Sequence, residues 1–354
     1  MLHILPDPSP RATAADYAAC ARIIARGSKS FHAASLLLPA KLRGPAFALY
    51  AFCRLSDDAV DTPGARSDGL ARLRRRLDAA FAGAPADHPV DRALADTLVR
   101  FALPRAPFDA LIEGFTWDLA SRAYPALEDL YAYCARVAGS VGAIMAALMD
   151  VREPELLARA CDLGVAMQLT NIARDVGEDA SNGRLYLPLD WLTHARLDPA
   201  AWLAQPHDHP VIRAATLRLL DYADNFYHRA DAGIAQLPRD CRAAIRAARL
   251  IYAEIGAEVR AAGGDSVTRR AVTTTQRKLQ LAARALTPTP RPSEAVLRAP
   301  VLAQNAYLVE AVLAAPSPPV PPPRTLWARA DADWGRVFDL FNDLEWRKRY
   351  GAIH

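Results

Sequence analysis

Two stretches place carboxylates one helical turn apart among apolar residues: Leu49-Tyr-Ala-Phe-Cys-Arg-Leu-Ser-Asp-Asp-Ala-Val-Asp61 and Leu163-Gly-Val-Ala-Met-Gln-Leu-Thr-Asn-Ile-Ala-Arg-Asp-Val-Gly-Glu-Asp179. At about 100° per residue, Tyr50, Arg54, Asp57 and Asp61 share one stripe, and Gln168, Asn171, Asp175 and Asp179 share another. The other faces carry Leu49, Phe52, Leu55 and Val60, or Leu163, Val165, Leu169, Ile172 and Val176. A surface helix shows a broad polar face and a narrower apolar one. The reverse proportion here predicts two buried helices whose acidic stripes face a polar cavity.

Carboxylates at i and i+4 repel unless a cation lies between them. Paired hard oxygens suit Mg²⁺, with Mn²⁺ as an alternative ion, and phosphate oxygens of a substrate commonly complete such a shell. The pattern therefore predicts a diphosphate held between two Asp-rich helices. Either motif alone reads as a solvated acidic face; two in-phase stripes in apolar helices do not. Arg54 and Arg174 offer forked donors to diphosphate oxygens, or else pair with Asp58 and Glu178 four residues on. The run Gly27-Ser28-Lys29-Ser30-Phe31 offers hydroxyls and an ammonium to a phosphate, or simply ends a helix.

The elements that must position these groups are helical. Ala, Leu and Arg dominate, and apolar residues recur at spacings of three and four from about Ala12 to Leu286. An all-α protein of roughly nine or ten helices follows. Breaks are expected at Leu38-Pro39, Thr62-Pro63-Gly64, Gly83 to Pro89, Leu103 to Pro107, Arg152 to Pro154, Leu187-Pro188, Gln205 to Pro210, Leu237-Pro238 and Gly263-Gly264. Proline clusters divide a catalytic unit, 1–286, from a C-terminal extension, 287–354, that holds a short helix at Glu294 to Ala314. Trp334, Val337, Phe338, Phe341 and Leu344 share one helical face there, either docking on the core or serving as a membrane foot.

Composition narrows the class. The 354 residues are 52% hydrophobic with a net charge of +4, which excludes disorder. Spread along the chain, that charge predicts no basic face, and no nucleic-acid motif is present, so no nucleic-acid partner is expected. Five widely spaced cysteines without a CxxC fit a reduced, cytoplasmic protein. Met1 to Pro10 lacks the pattern of a secretion signal. The uncharged run Val137 to Met149 is shorter than the roughly 20 residues a spanning helix needs.

Together with Ser28-Lys-Ser-Phe-His-Ala-Ala-Ser35 and Gly183-Arg-Leu-Tyr-Leu-Pro188, the two Asp motifs closely resemble the squalene and phytoene synthase family, and within it the bacterial carotenoid-forming branch. The resemblance covers about residues 12 to 285. It implies a single-domain isoprenoid synthase fold with a central cavity walled by the two Asp-rich helices. It implies head-to-head joining of two geranylgeranyl diphosphates through prephytoene diphosphate to phytoene, with release of two diphosphates. Carried over by position, Asp57, Asp61, Asn171, Asp175 and Asp179 would hold Mg²⁺. Gly27, Ser28, Lys29, Ser30, Phe31, Tyr50, Arg54, Gln168, Arg174, Tyr252 and Arg269 would contact the diphosphate or the allyl group. Phe31, Phe52, Val137, Val141, Ala143, Met145 and Met167 are expected wall residues. No His lies on either stripe, leaving a Tyr hydroxyl or the departing diphosphate as final proton acceptor.

Other readings stay open. Squalene, dehydrosqualene, presqualene diphosphate or hydroxysqualene synthesis from farnesyl diphosphate would use the same ionisation machinery. No dinucleotide fingerprint follows a strand, so no NADPH is expected. Asp57-Asp58-Ala-Val-Asp61 reads as the motif of chain-elongating synthases, but Asp175-Val-Gly-Glu-Asp179 does not repeat it. A non-catalytic lipid-binding scaffold would not need both stripes. A water-insoluble C40 product leads to the expectation of peripheral contact with the inner membrane and of a downstream desaturase as partner.

Overall fold

The computed structural model describes residues 12–61, 66–287 and 293–316, of which 29, 30, 56–61 and 66–68 are described by backbone alone. The chain before Ala12, the 62–65 break and the aromatic face beginning at Trp334 lie outside the described residues. No strand occurs among the described residues. The helices are α1 (Ala14–Gly27), α2 (Lys29–Ser35), α3 (Ala40–Asp61), α4 (Arg66–Phe81), α5 (Pro89–Phe101), α6 (Ala106–Leu119), α7 (Leu127–Cys134) and α8 (Ser140–Leu148). They continue as α9 (Pro154–Ser181), α10 (Leu189–His194), α11 (Pro199–Ala204), α12 (Pro210–Ile234), α13 (Arg239–Ala261), α14 (Thr275–Ala285), α15 (Glu294–Leu297) and α16 (Ala306–Ala314). A π-turn, Ala135–Gly139, joins α7 to α8.

Local chemistry sets most boundaries. Thr13 closes α1 with a capping box shared with Asp16. Helices α5, α6, α9, α11 and α12 each carry proline in the first turn, where the missing N–H costs nothing. The Gly- and Pro-marked breaks within the described residues all separate helices. The extra helices arise where no such marker stands. Ser28 splits α1 from α2, and left-handed Ser121 and Arg196 stand just past the ends of α6 and α10, while left-handed Ala102 and Asp150 stand just before the expected breaks at Leu103 to Pro107 and Arg152 to Pro154.

Two buried clusters form the interior. One gathers α1, α3, α5, α6 and α8 around Phe52, Leu94, Phe108 and Leu148; the other gathers α7, α9, α12 and α13 around Leu169, Leu219, Tyr227 and Ile255. Phe31 and Val137 pack against both, so they mark the seam between them. Helix α9 runs through the middle, against α8, α12, α13 and the π-turn. The approach is backbone-close: a β-carbon at Gly164 would stand 2.1 Å from the Ala138 carbonyl oxygen, and one at Gly142 would stand 2.2 Å from that of Ala160. Only glycine fits such crossings.

The segment 293–316 belongs to the same body. Leu308 and Val312 are fully buried in the first cluster. On α9, Arg159 Nη1 donates to the carbonyls of Val296 (2.7 Å) and Leu297 (3.1 Å), and on α12 Arg229 Nη2 donates to that of Pro300 (2.7 Å). Both guanidiniums pair with the fully buried Asp162, at 2.7 and 2.8 Å. A boundary at 286 therefore cuts through one packed unit. Leu127–Leu148, which spans α7, the π-turn and α8, is long and apolar enough to cross a membrane, and most of it is buried in the bundle.

Candidate active site

Ser28 makes the joint between α1 and α2. Its N–H donates to the Ile24 carbonyl (2.9 Å) and its hydroxyl accepts from the Phe31 N–H (3.2 Å), so one extended residue ends one helix and starts the next. Gly27 leaves room there for Tyr50. A β-carbon would stand 2.6 Å from the Tyr50 hydroxyl oxygen, which reaches across from α3. Phe31 then packs on Tyr252 of α13, with ring centres 5.0 Å apart, and on Tyr50 at 6.2 Å. Tyr50, Phe31 and Tyr252 thus line one end of the seam. Burial pushes the Tyr252 phenol well above its usual value; the Arg174 guanidinium opposes this, and the charges of Tyr50 and Asp175 add to it.

Helix α3 runs without interruption to Asp61 and shows Arg54 on its exposed side. The side chains of Asp57 and Asp61, like those of Lys29 and Ser30, lie outside the described residues.

On α9, Leu169, Ile172 and Val176 are buried, while Gln168, Asn171, Asp175 and Asp179 are half-buried on the predicted stripe. Leu163 and Met167 continue the stripe toward the seam, and Val137, Val141 and Met145 face it half-buried, every fourth residue along the π-turn and α8. Phe52 and Ala143, expected wall residues, are fully buried core.

The helix kinks at Asp175 (φ −106°, ψ 15°). The cause is a neighbour at the helical ladder: the Gly177 N–H donates to the Ser266 carbonyl at 2.9 Å. A β-carbon on Gly177 would lie 2.3 Å from the Val267 carbonyl oxygen, so this glycine lets the 265–268 loop press on the motif.

That loop delivers a cation. Arg270 Nε lies 2.9 Å from Asp175 Oδ1 and 2.9 Å from Glu178 Oε2. Arg174 Nε donates to the same Asp175 oxygen at 2.7 Å, so Arg174 pairs with its neighbour rather than with Glu178. Arg269, which the resemblance places at the diphosphate, is exposed and makes no ion pair among the described residues. Burial works to raise the Asp175 carboxyl, but hydrogen bonds from Arg174 and Arg270 outweigh it and hold the group below the usual range. At Asp179 the Arg184 charge opposes burial but does not outweigh it. Burial, then the Asp175 charge, pushes it up to about 7.

The donors present fit a hard divalent ion. Asn171 Oδ1 is buried without a hydrogen-bond partner, although its amide nitrogen lies 3.5 Å from Gln168 Oε1. A cation beside it would satisfy that oxygen and favour the ionised form of Asp179. Among the described residues no three His, Cys or carboxylate groups converge on one point.

A further polar group went unsignalled. Asp118 of α6 accepts hydrogen bonds from Tyr186 (2.7 Å) and Tyr133 (3.1 Å), and its charge reaches Asp179. Burial first, then the Asp118 charge, keeps both phenols protonated. Tyr186 stands in Gly183-Arg-Leu-Tyr-Leu-Pro188, but nothing in the spacing of Asp118 announces it.

Known proteins resemble this chain in sequence and fold. The sequence profile described as Squalene/phytoene synthase matches residues 24–278. Phytoene synthase of Rhodobacter capsulatus is 54% identical over 272 residues, covering 76% of this chain and 80% of that protein. The 15-cis-phytoene synthase of Pantoea ananas is 40% identical over 73% of this chain and 87% of its own. Among solved structures, a dehydrosqualene synthase in complex with ligand superposes with a TM-score of 0.70 at 33% identity, covering 77% of this chain and 95% of that one. The squalene synthase HpnC from Alicyclobacillus acidocaldarius gives 0.65 at 27% identity, with 70% and 94% covered.

Proposed function

The chain belongs to the squalene/phytoene synthase family, and we propose that it joins two geranylgeranyl diphosphates head to head, through prephytoene diphosphate, to phytoene. What carries the choice of a C20 substrate is the 54% identity to the Rhodobacter capsulatus phytoene synthase.

Divalent metal, Mg²⁺ or Mn²⁺, supplies Lewis-acid neutralisation of the diphosphate as it leaves. Asn171, Asp175 and Asp179, together with Asp57 and Asp61 of α3, would hold it. Arg174 and Arg270 stand where they can exchange Asp175 for diphosphate oxygens, adding forked hydrogen bonds to the growing charge. Gln168, Arg54 and Gly27 to Ser30 would contact the diphosphate or the allyl group. Phe31, Tyr50 and Tyr252 offer ring faces to an allylic cation, and Val137, Val141, Met145 and Met167 exclude the water that would quench it. The protonated phenols of Tyr133 and Tyr186 donate to Asp118 and so keep that carboxylate oriented. No NADPH is required, because phytoene retains its central double bond.

The product is a water-insoluble hydrocarbon. The reading therefore extends to peripheral association with the cytoplasmic face of the inner membrane, where a desaturase would take the product up.

The test is direct. Purified protein with Mg²⁺ and geranylgeranyl diphosphate, without NADPH, should yield phytoene by chromatography. Turnover of farnesyl diphosphate alone would overturn the C20 assignment and leave the reaction class standing.

A further inference from the structure

Between Asp265 and Glu294 the sequence contains no acid and six bases: Arg269, Arg270, Arg277, Lys278, Arg284 and Arg291. The whole chain is only +4, so everything outside this stretch is net negative. The same stretch holds three of the large apolar side chains that the described residues leave exposed: Val272 at 70%, Leu279 at 55% and Leu286 at 65%. Leu279 and Leu286 are seven residues apart, two turns along one face of α14. The opposite face, with Leu281 and Ala285, is buried. Arg277 and Arg284, also seven apart and exposed, lie about 140–180° round the helix from the leucines, bordering the buried face.

We propose that α14 and the 266–274 segment before it form the surface by which this protein docks on an anionic membrane. This rests on the peripheral-membrane part of the function proposed above and says which face carries it. Arg277 pairs with Glu254 of α13 at 2.6 Å and Arg270 with Asp175 and Glu178, and exposed aliphatic side chains beside Arg269 and Arg284, on a stretch that itself holds no acid, suit the headgroup boundary of an anionic bilayer. Val301, Tyr307 and Leu313 are also exposed, at 37–43%, but their segment, 293–316, carries two acids against one base and would be repelled. The stretch is also continuous with the site. It starts at the loop that presses on Gly177, passes Arg270 on Asp175, and ends on α14 packed against α13, the helix of Tyr252. Docking here sets the rim of the seam against the lipid from which a prenyl tail arrives and into which a hydrocarbon leaves.

The full chain should co-sediment with vesicles of phosphatidylglycerol and phosphatidylcholine, and bind pure phosphatidylcholine vesicles at least about tenfold more weakly. Leu279→Glu/Leu286→Glu should weaken anionic-vesicle binding about tenfold or more, and Arg284→Gln should weaken it less. Both should keep the wild-type circular dichroism, melting temperature and turnover in detergent solution. Undiminished vesicle binding by the double variant would overturn the assignment of this face and leave the membrane reading intact. Loss of binding in Trp334→Glu/Phe338→Glu, with the α14 variants unaffected, would move the contact to the chain's end. Self-association that the α14 double variant abolishes, without vesicle binding, would make the face a contact between copies. A wild-type chain that binds neither vesicle would overturn the membrane reading itself.

Discussion

Asp175 and Asp179 lie on the same stripe and face opposite electrostatic conditions. The first is wrapped by Arg174 and Arg270; the second is buried beside a like charge. Asp175→Ala should lower turnover by about 100-fold or more, with helicity by circular dichroism unchanged. Asp179 ionises at about 7 when folded and at its ordinary 3.8 when unfolded. From about pH 4 to 7 the unfolded chain has lost this proton while the folded chain keeps it. The group's contribution to stability therefore falls as pH rises through that window and is level on either side. Thermal melts in EDTA should show a shallower decline across pH 4 to 7 for Asp179→Asn. Gly27→Ala should fold, since the obstructing atom is the tip of the Tyr50 side chain, yet lose activity by about 10²-fold as Tyr50 is displaced. At this scale the sequence announced the α9 stripe, because helical spacing fixes which side chains align. It did not announce the Arg270 contact on Asp175, because a loop has no period and the 265–268 turn decides which arginine swings inward. Asp118 was invisible, since its partners Tyr133 and Tyr186 are distant in sequence.

Among the elements, α9 does two jobs: it seals both cores, and it kinks where its carboxylates are needed. The kink depends on a hydrogen bond from the 265–268 loop and on a glycine thin enough to admit that loop. Gly177→Ala would place a methyl group against backbone atoms that cannot turn aside. It should cost about 1–3 kcal/mol of stability in urea melts and lower activity as well. Helix existence was legible from the three-and-four spacing, and the Gly- and Pro-marked breaks within the described residues held. The surplus of helices traces to ends without a marker. Ser121 and Arg196 adopt the left-handed backbone that glycine usually supplies, as Ala102 and Asp150 do beside marked breaks, and Ser28 ends one helix while capping the next. Tertiary packing holds these residues there, and packing is what a local pattern cannot carry.

Across the whole molecule, charge placement matters more than charge total. An apparently even +4 conceals a strongly basic stretch at one edge of the site and a net-negative remainder. The expected boundary at 286 likewise followed composition, with prolines marking a linker, whereas the segment beyond them returns to the core through Leu308 and Val312. Its anchor is a buried charge cluster. Arg159→Ala would leave Asp162 with Arg229 alone and should cost about 3–5 kcal/mol. Limited proteolysis should then cut near residue 293. That anchor also has a bearing on the order of events at the ribosome. Arg159 and its acceptor at Val296 are 137 residues apart. At about 5–20 residues per second, synthesis separates them by roughly 7–27 seconds. Through that interval the central helix carries a buried-type arginine whose carbonyl acceptors do not yet exist, and an apolar site still waiting for Leu308. The nascent chain should therefore need chaperone cover late, after both catalytic motifs have emerged, and keep it until α16 leaves the tunnel.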